Sequence, residues 1–161
     1  MATTSTNKQP LLVDRVFHNV VATDSLASNS DTSLNIEGTN SSSPLVNCQT
    51  SDGGIVEDLY VISRSADTAY TCLFYFSSAV DYLRAEEAVY IGSINSATTA
   101  GTITTSDSLP RVLAPLPGAG TESQVKALYV PRGKVLWVTL QLNGPVNLTT
   151  TPIVGAQGGF Y

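Results

Sequence analysis

Positive charge is scarce in this sequence: 3 Lys and 5 Arg stand against 13 acidic residues, for a formal net charge of −5. A surface that grips phosphates needs clustered Lys and Arg to displace counterions, so nucleic acid is not expected as a partner. Glutamate is equally sparse at 5 residues, and charged residues of all kinds make up 13% of the chain. Ordinary soluble domains carry about 25%. With so little to coat their faces, long solvated helices are excluded and β structure becomes the default. No apolar run approaches the roughly 18 residues that a membrane-spanning helix requires. The opening Met1-Ala2-Thr3-Thr4-Ser5-Thr6-Asn7-Lys8 lacks the charged-then-apolar layout of a signal peptide, so a product made in a cytoplasm and not held in a membrane is expected. The sequons at Asn40 and Asn147 then carry little weight.

The residues that do chemistry are equally rare. His18 is the sole histidine, so imidazole metal sites are excluded, and any Ser-His-Asp or Cys-His arrangement would have to use it, with no Gly-x-Ser-x-Gly elbow to accompany it. Cys48 and Cys72 are too few for a disulfide framework and wrongly spaced for a zinc knuckle or a redox pair. Alternation puts Cys72 beside Phe74 and Phe76, where a small thiol packs as a buried apolar group. Glu57 and Asp58 point to opposite faces of a strand, and Glu86 and Glu87 diverge on a helix, so neither pair converges by itself. Asp52-Gly53-Gly54 lacks the pattern of a calcium loop, and Gly118-Ala119-Gly120 lies among prolines where a phosphate-binding fingerprint would need a strand and a helix. No catalytic residue, cofactor or metal is implied, and the chain reads as a protein that is not an enzyme.

What is abundant is hydroxyl: 18 Ser and 19 Thr, beside 42% hydrophobic residues and a mean hydropathy of +0.10. That balance suits a folded chain and not a disordered one. At 161 residues a single core is expected, large enough to need no staples. The acidity is local. Between Val16 and Ser63 there is no Lys or Arg, while Asp24, Asp31, Glu37, Asp52, Glu57 and Asp58 all fall there. This is either a solvated acidic face or one that meets a basic partner.

Residues 1–13, polar and then broken by Pro10, read as an extended N-terminal arm, and residues 14–161 as one β domain. Strands are expected near Leu11–Val21, Thr32–Gly38, Pro44–Cys48, Ile55–Ser63, Ala69–Ser77, Val89–Ile94, Thr102–Thr105 and Ile153–Tyr161. Ile55–Ser63 and Ala69–Ser77 are read as adjacent antiparallel strands, and Ser78–Ala88 as one or two helical turns capped by Ser78. Ala127–Val130 and Val135–Leu142 flank Pro131-Arg132-Gly133-Lys134 as a hairpin with a four-residue turn. Period two then turns Leu136, Val138, Leu140 and Leu142 inward and leaves Trp137 on a more polar face, covering a sheet edge or meeting another chain. The prolines at 110, 115 and 117 keep their segment out of any central strand. The fold class that results is all-β: a single antiparallel β-sandwich, jelly-roll or immunoglobulin-like, with the N-terminal arm and at most one short helix.

Three segments resemble a known group. Asn7-Lys8-Gln9-Pro10-Leu11-Leu12-Val13-Asp14-Arg15, the run from Leu128 to Val138 and the ending Ala156-Gln157-Gly158-Gly159-Phe160-Tyr161 are similar to the capsid cement or decoration proteins of tailed bacteriophages, including cyanophages. The resemblance implies a virion protein on the outer capsid surface that binds the major capsid protein where neighbouring subunits meet, and that assembles with itself, a homotrimer being favoured. Anchors of that kind are aliphatic or aromatic, which makes Gln9, Pro10, Leu11 and Leu12 of the arm, Trp137 and the terminal Phe160 and Tyr161 the candidate interface residues. The competing reading is a carbohydrate- or receptor-binding module of a phage tail or cell surface, which should expose an aromatic platform in a groove.

Overall fold

In a computed structural model of the chain the described residues are 15–23, 42–81, 83–105, 112–114, 125–141 and 150–161. The arm with Gln9, Pro10, Leu11 and Leu12, and the strand expected over Thr32–Gly38, lie outside them. Ten strands are described: β1 (Arg15–Ala22), β2 (Ser42–Asn47), β3 (Gly53–Ile62), β4 (Thr71–Ser77), β5 (Val89–Asn95), β6 (Ile103–Thr105), β7 (Val112–Ala114), β8 (Val125–Pro131), β9 (Val135–Gln141) and β10 (Ile153–Phe160). One antiparallel sheet runs β1-β10-β3-β8-β7 with β6 also on β3, and the other runs β2-β9-β4-β5. The pairings nest, since β1 takes β10, β2 takes β9, β3 takes β8 and β4 takes β5. This is a long antiparallel ribbon rolled so that its strands fall alternately into two facing sheets, the jelly-roll form of sandwich.

Alternation explains the core between the sheets. Val56, Leu59 and Val61 of β3 and Val154, Ala156 and Phe160 of β10 meet Cys72 and Phe74 of β4 and Leu136, Val138 and Leu140 of β9. The four-stranded sheet is also covered on its other side. There Leu73 and Tyr75 of β4 and Val135 and Trp137 of β9 form a second cluster with Leu83, which comes from the β4–β5 connection, and Ala88 packs against it. Trp137 is 1% exposed. Of the two expected places, the intramolecular one holds, although not at a sheet edge, and the role of Trp137 as an exposed anchor is corrected: it lies beneath its own chain, and β9 is buried on both faces.

Two expected hairpins are not hairpins. β3 and β4 belong to different sheets, as do β8 and β9, so each short link crosses the sandwich. The turn after β8 does form, with the Lys134 N–H donating to the Pro131 carbonyl at 3.1 Å and Gly133 at φ 75°. The next bonds go elsewhere: the Cys48 N–H donates to the Lys134 carbonyl at 3.0 Å and the Gly133 N–H to the Cys48 carbonyl at 2.9 Å. The chain after β2 is thus bonded to the turn, while β8 pairs with β3 and β9 with β2 and β4. At the β3–β4 corner, buried serines satisfy the backbone in place of a ladder. Ser63 Oγ donates to the Ala97 carbonyl at 2.6 Å, and Ser65 Oγ accepts the Thr68 N–H at 2.9 Å.

The expected helical segment contains one 3-10 turn, Ala85–Glu87. Ser77 and not Ser78 accepts the N–H of Ala79, at 3.0 Å, while the Ser78 hydroxyl accepts from Lys134 Nζ at 3.0 Å and its carbonyl from Gln49 Nε2 at 2.7 Å. Among the described residues β7 stands at the end of its sheet, next to β8.

Candidate interaction face

The outer face of the six-stranded sheet differs from the covered side of the other sheet. Strand register sets its side chains in rows: His18, Gln157 and Asp58 in one, and Val20, Gly155, Tyr60 and Thr105 in the next. Ile153, Ile62 and Ile103 follow. Three of its aliphatic residues are left in solvent, Val16 81%, Val20 54% and Ile103 62% exposed. Exposed Val89 and Tyr90 belong to β5 at the edge of the opposite sheet, where Tyr90 rests against Tyr75 at 5.5 Å between ring centroids.

A polar network crosses the middle of the face. Tyr60 reaches from β3 across β10 to β1, where its hydroxyl meets His18 Nε2 at 2.5 Å. The crossing needs Gly155, because a Cβ there would occupy the space of the Tyr60 ring. Two residues along β10, Gln157 Nε2 donates to the Asp58 carboxylate at Oδ2. Asp58, Tyr60, Ile62, Ile103, Thr105 and Gln157 line a shallow hollow of about 320 Å³. Comparison with family models, curated proteins and solved structures finds no match to this chain.

His18, the sole histidine, is thus exposed and hydrogen-bonded to a phenol. Among the described residues no three His, Cys, Asp or Glu side chains cluster so as to hold a metal. Glu57 falls at a bulge, since Asp58 lies opposite Gln157 while Val56 lies opposite Gly158.

The terminal aromatic pair is also built into the fold. Phe160 is 8% exposed, with the Phe17 ring 4.6 Å away and the Arg15 guanidinium 5.0 Å from its centroid. The expectation of a free Phe160 anchor is corrected accordingly: β10 runs between β1 and β3, so the ring turns into the core by the same alternation as Ala156. Tyr161 is half-buried, its N–H donating to the Gly53 carbonyl at 3.1 Å and its carbonyl accepting the Asp52 N–H at 3.0 Å. Burial, followed by the nearby Tyr129 and Glu57, raises its phenol pKa. Val16, Val20 and Ile103 of this face were not among the sequence candidates. The one local hint is Gly155, whose missing side chain leaves room for a neighbour to cross.

Both thiols are free and buried. Burial raises Cys48 and pushes Cys72 up to about 12, whereas an unfolded thiol ionises near pH ~8.5. Above that point the unfolded chain has released a proton that native Cys72 keeps. Stability from this group is therefore fully present below pH ~8.5 and falls at up to about 1.4 kcal/mol per pH unit above it. Tyr75, pushed up to about 12 by burial and then by Tyr90, adds to the loss from pH ~10. Urea unfolding should show little change from this source between pH 7 and 8 and a loss of about 2 kcal/mol by pH 10. Cys72→Ala should flatten most of that slope; an equal slope in the variant would remove Cys72 as its cause.

Proposed function

We propose that this chain is a structural virion protein that binds the outside of a phage capsid, cements neighbouring copies of the major capsid protein, and works as a homo-oligomer with a trimer favoured. The observation that carries the reading is the set of solvent-exposed aliphatic side chains Val16, Val20 and Ile103 on the sheet face that also holds the Tyr60 network. Interface cores are more apolar than their rims, and here the exposed aliphatic side chains surround a small polar group of His18, Tyr60, Gln157 and Asp58. Cement needs no reaction: a protein that binds assembled shells and not free subunits stabilises assembly by that difference alone.

Size supports a multivalent mode. Four strands about 4.8 Å apart and eight residues rising about 3.4 Å each give roughly 500 Å². A standard partner surface is about 800 Å². One copy should therefore bind weakly, and linked copies much more tightly through effective concentration. Residues 1–13, outside the described residues, are the second contact in this reading.

The test is to measure the native mass and co-sediment the protein with expanded phage shells. Val16→Asp combined with Val20→Asp should change unfolding stability by no more than about 1 kcal/mol in total, because both side chains already face water. The same double variant should weaken shell binding at least about tenfold, since it buries two carboxylates without partners. A wild-type protein that stays monomeric and never sediments with shells would defeat the reading, as would a double variant that binds unchanged.

A further inference from the structure

We propose that the hollow beside Tyr60 receives an arginine side chain presented by the partner protein. The inference rests on the adhesive reading above and names the chemistry of that partner. Tyr60, Ile62 and Ile103 supply an apolar lining that suits the methylene stem of a long cationic side chain. At about 320 Å³ the space lies at the small end of ligand clefts, which span about 300–1,000 Å³.

The rim accepts hydrogen bonds and carries one negative charge. Gln157 donates its amide N–H to Asp58 Oδ2, which leaves the second carboxylate oxygen and the Gln157 carbonyl oxygen as acceptors, with the Thr105 hydroxyl also in the lining. Asp52 has Arg132 at 3.1 Å, but among the described residues Asp58 has no cationic partner. Glu57 adds a second exposed carboxylate on the same strand, within the stretch from Val16 to Ser63 that has no Lys or Arg. A planar guanidinium donates to two acceptors at once and stacks on an aromatic ring, which an ammonium group does less well. A saccharide could use the same ring and acceptors, yet its neutral hydroxyls would leave the carboxylate charge uncompensated.

The experiment is a titration of the full chain followed by NMR, with acetyl-arginine methylamide as the probe, its neutral isostere acetyl-citrulline methylamide beside it, and a methyl glycoside as a third arm. Arginine should shift the signals of Ile62, Ile103, Thr105 and Gln157 saturably. Citrulline should bind about tenfold more weakly, and Asp58→Asn, with otherwise unchanged spectra, should weaken arginine binding by a similar factor. The proposal is overturned if arginine shifts none of these signals, if citrulline or the Asn variant binds equally well, or if only the glycoside is taken. No shell enters the titration, so its failure leaves shell binding standing, and a failure of shell binding leaves the titration interpretable.

Discussion

Trp137→Ala should lower stability by about 3–5 kcal/mol, the range for removing a fully buried large aromatic side chain. The indole is 1% exposed and stands in β9 between Pro44 of β2 and Tyr75 of β4, with Leu83 in the same cluster. Its removal would open a cavity between the four-stranded sheet and the connection that covers it. Trp137→Phe should cost less than half as much. The phenyl ring keeps most of the contact, and the variant removes an indole N–H that has no hydrogen-bond partner among the described residues, a group whose burial itself costs about 1–3 kcal/mol. Urea unfolding of the two variants measures the contrast. An interface role for this residue predicts the reverse pattern, wild-type stability with lost association. Folded Trp137→Phe should still bind whatever the six-stranded sheet binds.

The alternation that hid Trp137 also shows what the sequence can reveal. Period two placed Cys72 with Phe74, and Leu136 with Val138 and Leu140, on inward faces, and the structure keeps them there. The same period says nothing about which strand lies alongside. Val130 and Leu136 would face a common core whether β8 and β9 paired in one sheet or stood in opposite sheets. What decides is the backbone of Cys48 bonding into the Pro131–Lys134 turn, a partner some 85 residues away in the chain and invisible to local pattern. Trp137 owes its cover to Leu83, also far off in the chain, so a strand face that ends in Thr139 and Gln141 reads as polar although Thr139 itself is buried. The exposed face has the same origin. His18, Tyr60 and Gln157 come from three strands and become neighbours only when β10 inserts between the first strand and the third.

That insertion makes Gly158 the most restrictive glycine of the central strand. At Gln157/Gly158 the pairing of β10 with β3 shifts, and a Cβ on Gly158 would run into the carbonyl group of Ile55. The obstacle is backbone in a paired strand and cannot rotate aside. Gly158→Ala is expected to destabilise by about 3 kcal/mol, at the upper end of the usual overpacking range, which for a chain of this size lowers Tm by roughly 6–12 °C. Gly155→Ala is the control, because there the obstacle is the Tyr60 ring, which can swing into solvent. It should cost less in stability but break the Tyr60–His18 contact. Thermal melts rank the two, and equal losses would mean that the bulge relaxes as easily as a side chain. The ranking also bears on the face. The bulge at Glu57 puts Asp58 in line with Gln157, so a Gly158→Ala protein that folds by straightening the strand would separate those two acceptors and weaken arginine binding even though neither has been changed.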